Sequence, residues 1–243
     1  MFNRWFIVAV LLVTIGSLVF VIYQDSRDRS GTDLNNQTPP ADDYKKAGEP
    51  TEPSKIDYER VAYVITVLDT LKNPREKLPY LGELVMRYSD AGQFGNAAVY
   101  AQNRAVITGE AHDWKEAGDL YLEQVRRGVE EEISKNTGKK AESMYIEALE
   151  RKPGDTDLKT DLAVVYMSLL KPDKSYETLM QVLEKEPDHI RANFNAGVLL
   201  HQMGNTEQSI SYFDRATVLA DEETHWKEMI QGYLNQYHQE IYH

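Results

Sequence analysis

The stretch AESMYIEALERKP at 141–153 returns as SYETLMQVLEKEP at 175–187, an offset of 34 residues. Each copy opens on a small residue (Ala141, Ser175), sets a bulky one four positions on (Tyr145, Leu179) and a compact one three further (Ala148, Val182), and closes on Pro153 or Pro187. Another step of 34 lands on Ser209, Phe213 and Ala216. Spacings of three and four keep these side chains on one helix face, and the prolines stop each helix. The preceding segments keep the same step: Leu162 and Ala163 return as Ala196 and Gly197, and Tyr166 as Leu200, with Gly204 placed for the turn into the second helix. The pattern predicts a helix-turn-helix unit written more than once. In each unit small side chains let two antiparallel helices approach and a large one fills the space beside them.

Upstream, Trp114, Ala117, Gly118 and Tyr121 are similar to the W-x-x-[LA]-G-x-x-Y first helix of the tetratricopeptide repeat family, and residues 111–223 as a whole resemble it. A further copy is placed by Leu81, Leu84, Tyr88, Gly92, Phe94 and Ala97, although Ala101 and Arg104 stand where the family carries an aromatic and a small residue. The expected fold is therefore all-α: a solenoid of helical hairpins with repeats at 78–110, 111–155, 156–189 and 190–223, behind a single transmembrane helix.

The second repeat is 11 residues over the period. At ~3.6 residues per turn that surplus is close to three whole turns, so an added helical segment keeps its facing. Tyr121, Val125, Val129 and Ile133 extend one apolar stripe, and Asn136, Thr137 and Gly138 supply a stop. The expectation is a longer first helix and a protruding hairpin; a loop over 126–140 is the alternative.

Residues 224–243 form an amphipathic pattern carrying Trp226, Met229, Ile230, Tyr233, Leu234, Tyr237 and Ile241. A solenoid must cover its last unit, so a cap is expected, with a docking helix presenting Trp226, Tyr233 and Tyr237 as the alternative. At the other end of the array, residues 55–77 read as a capping helix through Val61, Ile65, Leu68 and Leu71, broken at Asn73-Pro74. Residues 25–54 hold Asn35-Asn36, Pro39-Pro40, Pro50 and Pro53 among charged and small residues, the composition of a disordered tether.

Residues 1–24 read as a membrane anchor. From Trp5 to Tyr23 the chain runs 19 residues without a charge, ~28 Å as a helix and about the thickness of a bilayer core. Trp5 and Tyr23 stand where interfacial aromatics belong, bracketed by Arg4 and Asp25. A cleaved leader would have a shorter apolar core and a small-x-small site, which Tyr23, Gln24, Asp25 and Ser26 do not offer. Arg4 on one side and Arg27 and Arg29 on the other leave the charge rule undecided. The short leading tail favours a cytoplasmic N-terminus, which puts the repeats on the periplasmic side of a bacterial inner membrane.

With 39 acidic and 27 basic residues the formal charge is -12, which argues against binding a nucleic-acid backbone. There is no cysteine, so thiol catalysis and C-x-x-C-H haem attachment are excluded. His112, His189, His201, His225, His238 and His243 are scattered without an H-E-x-x-H pairing. Glu130, Glu131 and Glu132 beside Arg126 and Arg127 read as a solvated helix face. No catalytic residue, cofactor, metal or small-molecule substrate is expected.

What the resemblance implies is a face, lined by the first helices, that holds a protein or peptide. The family's carboxylate clamp, Lys and Asn on successive first helices, meets Gly82, Met86, Glu116, Asp157 and Asp161 in one register. One repeat along, it meets Lys115, Asp119, Asp161, Arg191 and Asn195, where two acids interrupt it. The apolar groove residues expected instead are Met86, Leu122, Val164, Met167, Phe194 and Val198, suited to an amphipathic helix or apolar peptide; the alternative is that several of them are core. The whole layout is similar to anchored tetratricopeptide repeat proteins of cytochrome c maturation and envelope assembly. It implies a non-catalytic adaptor that holds a client and assists assembly of a membrane complex. A permanent accessory subunit of such a complex, or a cytosol-facing docking receptor, are the other readings.

Overall fold

A computed structural model describes residues 55–127, 131–220 and 225–242, and every regular element among them is helical. α1 (Tyr58–Thr70) starts where the Asp57 side chain accepts a hydrogen bond from the Arg60 backbone N–H at 3.0 Å, a side-chain cap of an orphan donor. It buries Val61, Val64 and Leu68, the face its spacing dictates. Asn73 then caps a short 3-10 turn, Pro74–Lys77.

Four hairpins follow: α2 (Leu78–Asp90) with α3 (Phe94–Thr108), α4 (Ala111–Arg126) with α5 (Glu131–Arg151), α6 (Thr156–Ser168) with α7 (Pro172–Lys185), and α8 (Ile190–Gln202) with α9 (Thr206–Leu219). α10 (His225–Tyr242) stacks on α9. Each hairpin packs on the next, so the described residues build up chiefly by contacts between neighbouring units.

The small-and-bulky period has a direct geometric meaning. A Cβ on Gly118 of α4 would lie 2.9 Å from the Tyr145 ring on α5, and one on Gly197 of α8 would lie 2.7 Å from the Phe213 ring on α9. Both distances are shorter than carbon atoms tolerate. The bare backbone of one helix is thus the seat for the aromatic ring of its partner. In the first hairpin the same closeness comes from Ala97, Ala98, Ala101 and Ala105 of α3, all fully buried.

The long repeat is built differently from expectation. α4 ends at Arg126, and the surplus belongs to α5, which runs without a break from Glu131 to Arg151 through Gly138. Gly138 is therefore not a stop. It is buried, and a Cβ there would sit 2.5 Å from Leu169 Cδ2, so close packing against the end of α6 outweighs the cost of about 1 kcal/mol that glycine carries inside a helix.

α10 serves as the cap. Met229, Ile230, Tyr233 and Leu234 share one buried cluster with Phe194, Phe213 and Ala216. At the opposite end Arg60 of α1 makes two hydrogen bonds to the Glu83 carboxylate of α2, at 2.7 and 2.8 Å. No described helix is long and apolar enough to cross a membrane. The expected span at 5–23 and the tether at 25–54 lie outside the described residues, as do Val129, Glu130 and the side chains of Glu131, Glu132 and Ile133.

Candidate protein-binding face

The first helices α4, α6 and α8 bring three i, i+4 pairs side by side: Lys115 with Asp119, Asp157 with Asp161, and Arg191 with Asn195. A turn of helix keeps each pair on one face. Lys115 Nζ is 2.9 Å from Asp119 Oδ2 and 3.0 Å from Asp161 Oδ2, so it bridges α4 to α6. Arg191 hydrogen-bonds to Asp161 Oδ1 and lies 3.5 Å from Asp157 Oδ1, so it bridges α8 to α6. His189 Nε2 adds a contact of 3.3 Å to Asp157, and the Tyr145 hydroxyl donates to Asp119.

Asp161 is fully buried at the centre of this line. An isolated carboxylate there would be prohibitively costly; it is kept by the two cations that converge on it. Burial pulls the Lys115 ammonium down, but Asp119 and Asp161 more than offset that and leave its pKa above the ordinary lysine value. The line continues at its α4 end, where Arg104 of α3 pairs with Asp113 at 2.7 Å and with Glu116, and the Thr108 hydroxyl donates to Asp113 at 2.6 Å. Arg104, out of pattern for its repeat, thus helps tie α3 to α4, as do the bonds from Tyr121 to Gln102 and from the Gly95 N–H to Gln124.

The geometry explains the interrupted clamp and corrects the apolar groove. The acids Asp119 and Asp161, which interrupt the clamp pattern in sequence, are the groups that join the cations of three repeats. Of the six apolar groove residues, only Met86 is open to solvent, at 55%. Leu122 and Val164 are buried in the middle core cluster, and Met167, Phe194 and Val198 in the C-terminal one. The reason is the surroundings of α6 and α8, which are flanked on several sides by other helices; residues 192–200 are buried without exception. Phe194 itself lies 5.8 Å from the Phe213 ring, 5.5 Å from Tyr233 and 6.5 Å from Trp226.

The same contacts decide the proposed docking helix. Tyr233 is buried at 2% and Trp226 packs against the core, so both hold the cap in place; the Tyr237 side chain lies outside the described residues. The sequence signal that could have found the polar line was the i, i+4 spacing of opposite charges on successive first helices. What spacing could not supply was which neighbouring helix each charge would reach.

The Tetratricopeptide repeat family model matches residues 190–221. No curated protein sequence matches the chain. Among solved structures, TTC0263, a thermophilic tetratricopeptide repeat protein of Thermus thermophilus, superposes with a TM-score of 0.55 at 18% identity, over 72% of this chain and 89% of that one. MamA matches with a TM-score of 0.49 at 21% identity, over 65% and 85% of the two chains. YrrB, described as having an unusual peptide-binding site, matches with a TM-score of 0.43 at 16% identity, over 74% and 88%. At these identities the likeness is one of fold.

Proposed function

We propose that the chain, which has the fold of tetratricopeptide repeat proteins and matches the family model at 190–221, is a non-catalytic adaptor, anchored in a membrane by residues 5–23, that holds a protein client on the face of its first helices and assists assembly of a membrane complex. The observation that carries the reading is the line from Asp113 through Lys115, Asp161 and Arg191 across three repeats. It fixes the spacing of adjacent first helices, and the more exposed carboxylates of Glu116, Asp119 and Asp157 stand beside it, a row of polar groups of the kind a surface for an extended segment requires. The uncharged run 5–23 with its flanking aromatics Trp5 and Tyr23 supports the anchor, and with it we place the repeats on the periplasmic side of a bacterial inner membrane. A permanent accessory subunit would draw on free C-terminal aromatics, and the burial of Tyr233 in the cap weakens that reading.

The test uses the full chain in its native membrane with a photo-crosslinking amino acid at Met86 or Glu116 on the first helices, or at Val218 on a second helix. Crosslinks to one protein from Met86 and Glu116 but not from Val218 are expected. Crosslinks confined to Val218 would remove the assignment of the face. Release of the chain by alkaline carbonate would remove the anchor.

A further inference from the structure

We propose that the face formed by α4, α6 and α8 recognises a lysine- or arginine-bearing segment of its client rather than a carboxylate terminus, an inference that rests on the adaptor reading and names the chemistry of the partner. The charges on this face are layered. The Glu116, Asp119 and Asp157 side chains are 40%, 47% and 65% exposed, whereas those of Arg104, Lys115 and Arg191 are 19%, 27% and 12% exposed. The most exposed of these charges are acids, and the cations lie deeper, with Asp113 and Asp161 buried among them. An approaching partner therefore meets negative charge first, which raises the encounter rate of a basic segment and repels an acidic one.

The inner cations are also already engaged. Lys115 holds Asp119 and Asp161, Arg104 holds Asp113 and Glu116, and Arg191 holds Asp157 and Asp161. An incoming carboxylate would have to displace one of these acids, whereas an incoming ammonium or guanidinium finds carboxylate oxygens facing water.

A second observation is independent of charge. Asn195, one helical turn beyond Arg191 on α8, is 1% exposed, and its Oδ1 has no hydrogen-bond partner among the described residues. Its neighbour Asn193 shows how such a side chain is normally settled: Nδ2 donates to the carbonyls of Pro187 and His189 at 2.9 and 3.0 Å. A buried amide oxygen left without a donor is destabilising. Because that oxygen is closed to solvent in the unbound chain, an N–H group of the client, from a basic side chain or its backbone, completes it only by entering beside Arg191 as the side chains there give way.

The test measures fluorescence anisotropy of a labelled peptide of alternating lysine and alanine titrated with the full chain in detergent, beside glutamate-alanine and serine-alanine versions. The lysine peptide is expected to bind most tightly. Glu116→Gln, Asp119→Asn and Asp157→Asn together are expected to weaken it about tenfold, while Glu184→Gln, Glu207→Gln and Asp214→Asn, exposed acids on second helices, leave it unchanged. If the first combination fails to fold, Asp157→Asn alone serves, being the most exposed of the three. Asn195→Leu is expected to raise the melting temperature yet weaken the lysine peptide; a purely structural asparagine would change the first and not the second.

Equal loss from both triple variants would reduce the effect to the general attraction of a polycation for an acidic protein, and tighter binding of the glutamate peptide would reverse the assignment. If client crosslinking from Met86 and Glu116 persists while none of these changes matters, only the chemistry proposed here fails. Loss of crosslinking altogether removes the adaptor reading as well.

Discussion

Replacing Gly197 with alanine adds one methyl group at the tightest point of the last hairpin. The new Cβ would lie 2.7 Å from both Cδ1 and Cε1 of Phe213 and 3.0 Å from Cγ, against ~3.5–4.0 Å for relaxed carbon contact. The ring must retreat by roughly 1 Å, and it has nowhere to go: Phe213 is fully buried, with Phe194 at 5.8 Å and Tyr233 at 5.4 Å between centroids. Overpacking of this kind costs ~1–3 kcal/mol. Alanine returns ~1 kcal/mol through its helix propensity, so the single variant alone could give a small net change. Gly82→Ala supplies the reference. Gly82 is also inside a first helix, α2, and a Cβ there meets nothing within 4 Å, so only the propensity gain is expressed. Subtracting one variant from the other cancels propensity and leaves the packing cost, ~1–3 kcal/mol. Urea unfolding of the full chain in detergent, followed by circular dichroism, is the assay. Gly82→Ala is expected to raise the midpoint, Gly197→Ala to fall below it by that gap, and Gly197→Ala with Phe213→Leu to recover part of the loss. Equal stabilisation by both glycine changes would refute the account of the hairpin as a ring seated on bare backbone.

Three further outcomes follow from other sites. Asp161→Ala leaves Lys115 and Arg191 without their shared, buried acid; because each keeps a second carboxylate, the expected loss is about 2 kcal/mol, below the full cost of breaking a buried pair, and an unchanged urea midpoint would contradict the bridging role. Glu83 is held at about 2, against an ordinary value of 4.5, chiefly by its hydrogen bonds from Arg60 and then from Arg87. A depressed carboxyl stabilises above its unfolded pKa and loses that contribution as pH falls through the folded one. Glu83→Gln is therefore expected to cost about 1 kcal/mol at neutral pH, with the difference from the unaltered chain shrinking between pH 4.5 and 2; a gap constant across that range would exclude the linkage. Leu170, exposed and at φ 54°, occupies the turn position 34 residues before Gly204, whose φ is 76°. Leu170→Gly should raise stability by about 1 kcal/mol, since an L side chain is strained in the left-handed region; a lower melting temperature would show that the turn is held by other means.

The amino-acid sequence by itself determined the helical class, the hairpin period and the position of most helices. These depend on interactions between residues a few positions apart, which a repeating pattern records directly. Ala141, Tyr145 and Ala148 announce one helix face, and Pro153 its end. Where the sequence reading went astray, the deciding partner was distant. Gly138 reads locally as a stop, yet it lies inside α5 because Leu169, 31 positions on, packs where a side chain would be. Phe194 and Val198 read as groove residues by helical register, yet they belong to the core because α8 is enclosed by its neighbours. Asp119 and Asp161 do interrupt a clamp, as their sequence positions indicate, and tertiary structure adds that they are bridges, with Tyr145, Lys115 and Arg191 placed around them. Only the packing of one hairpin on the next could decide these points: an apolar side chain is core or groove, and a carboxylate costly or stabilising, according to what the adjoining helix sets beside it.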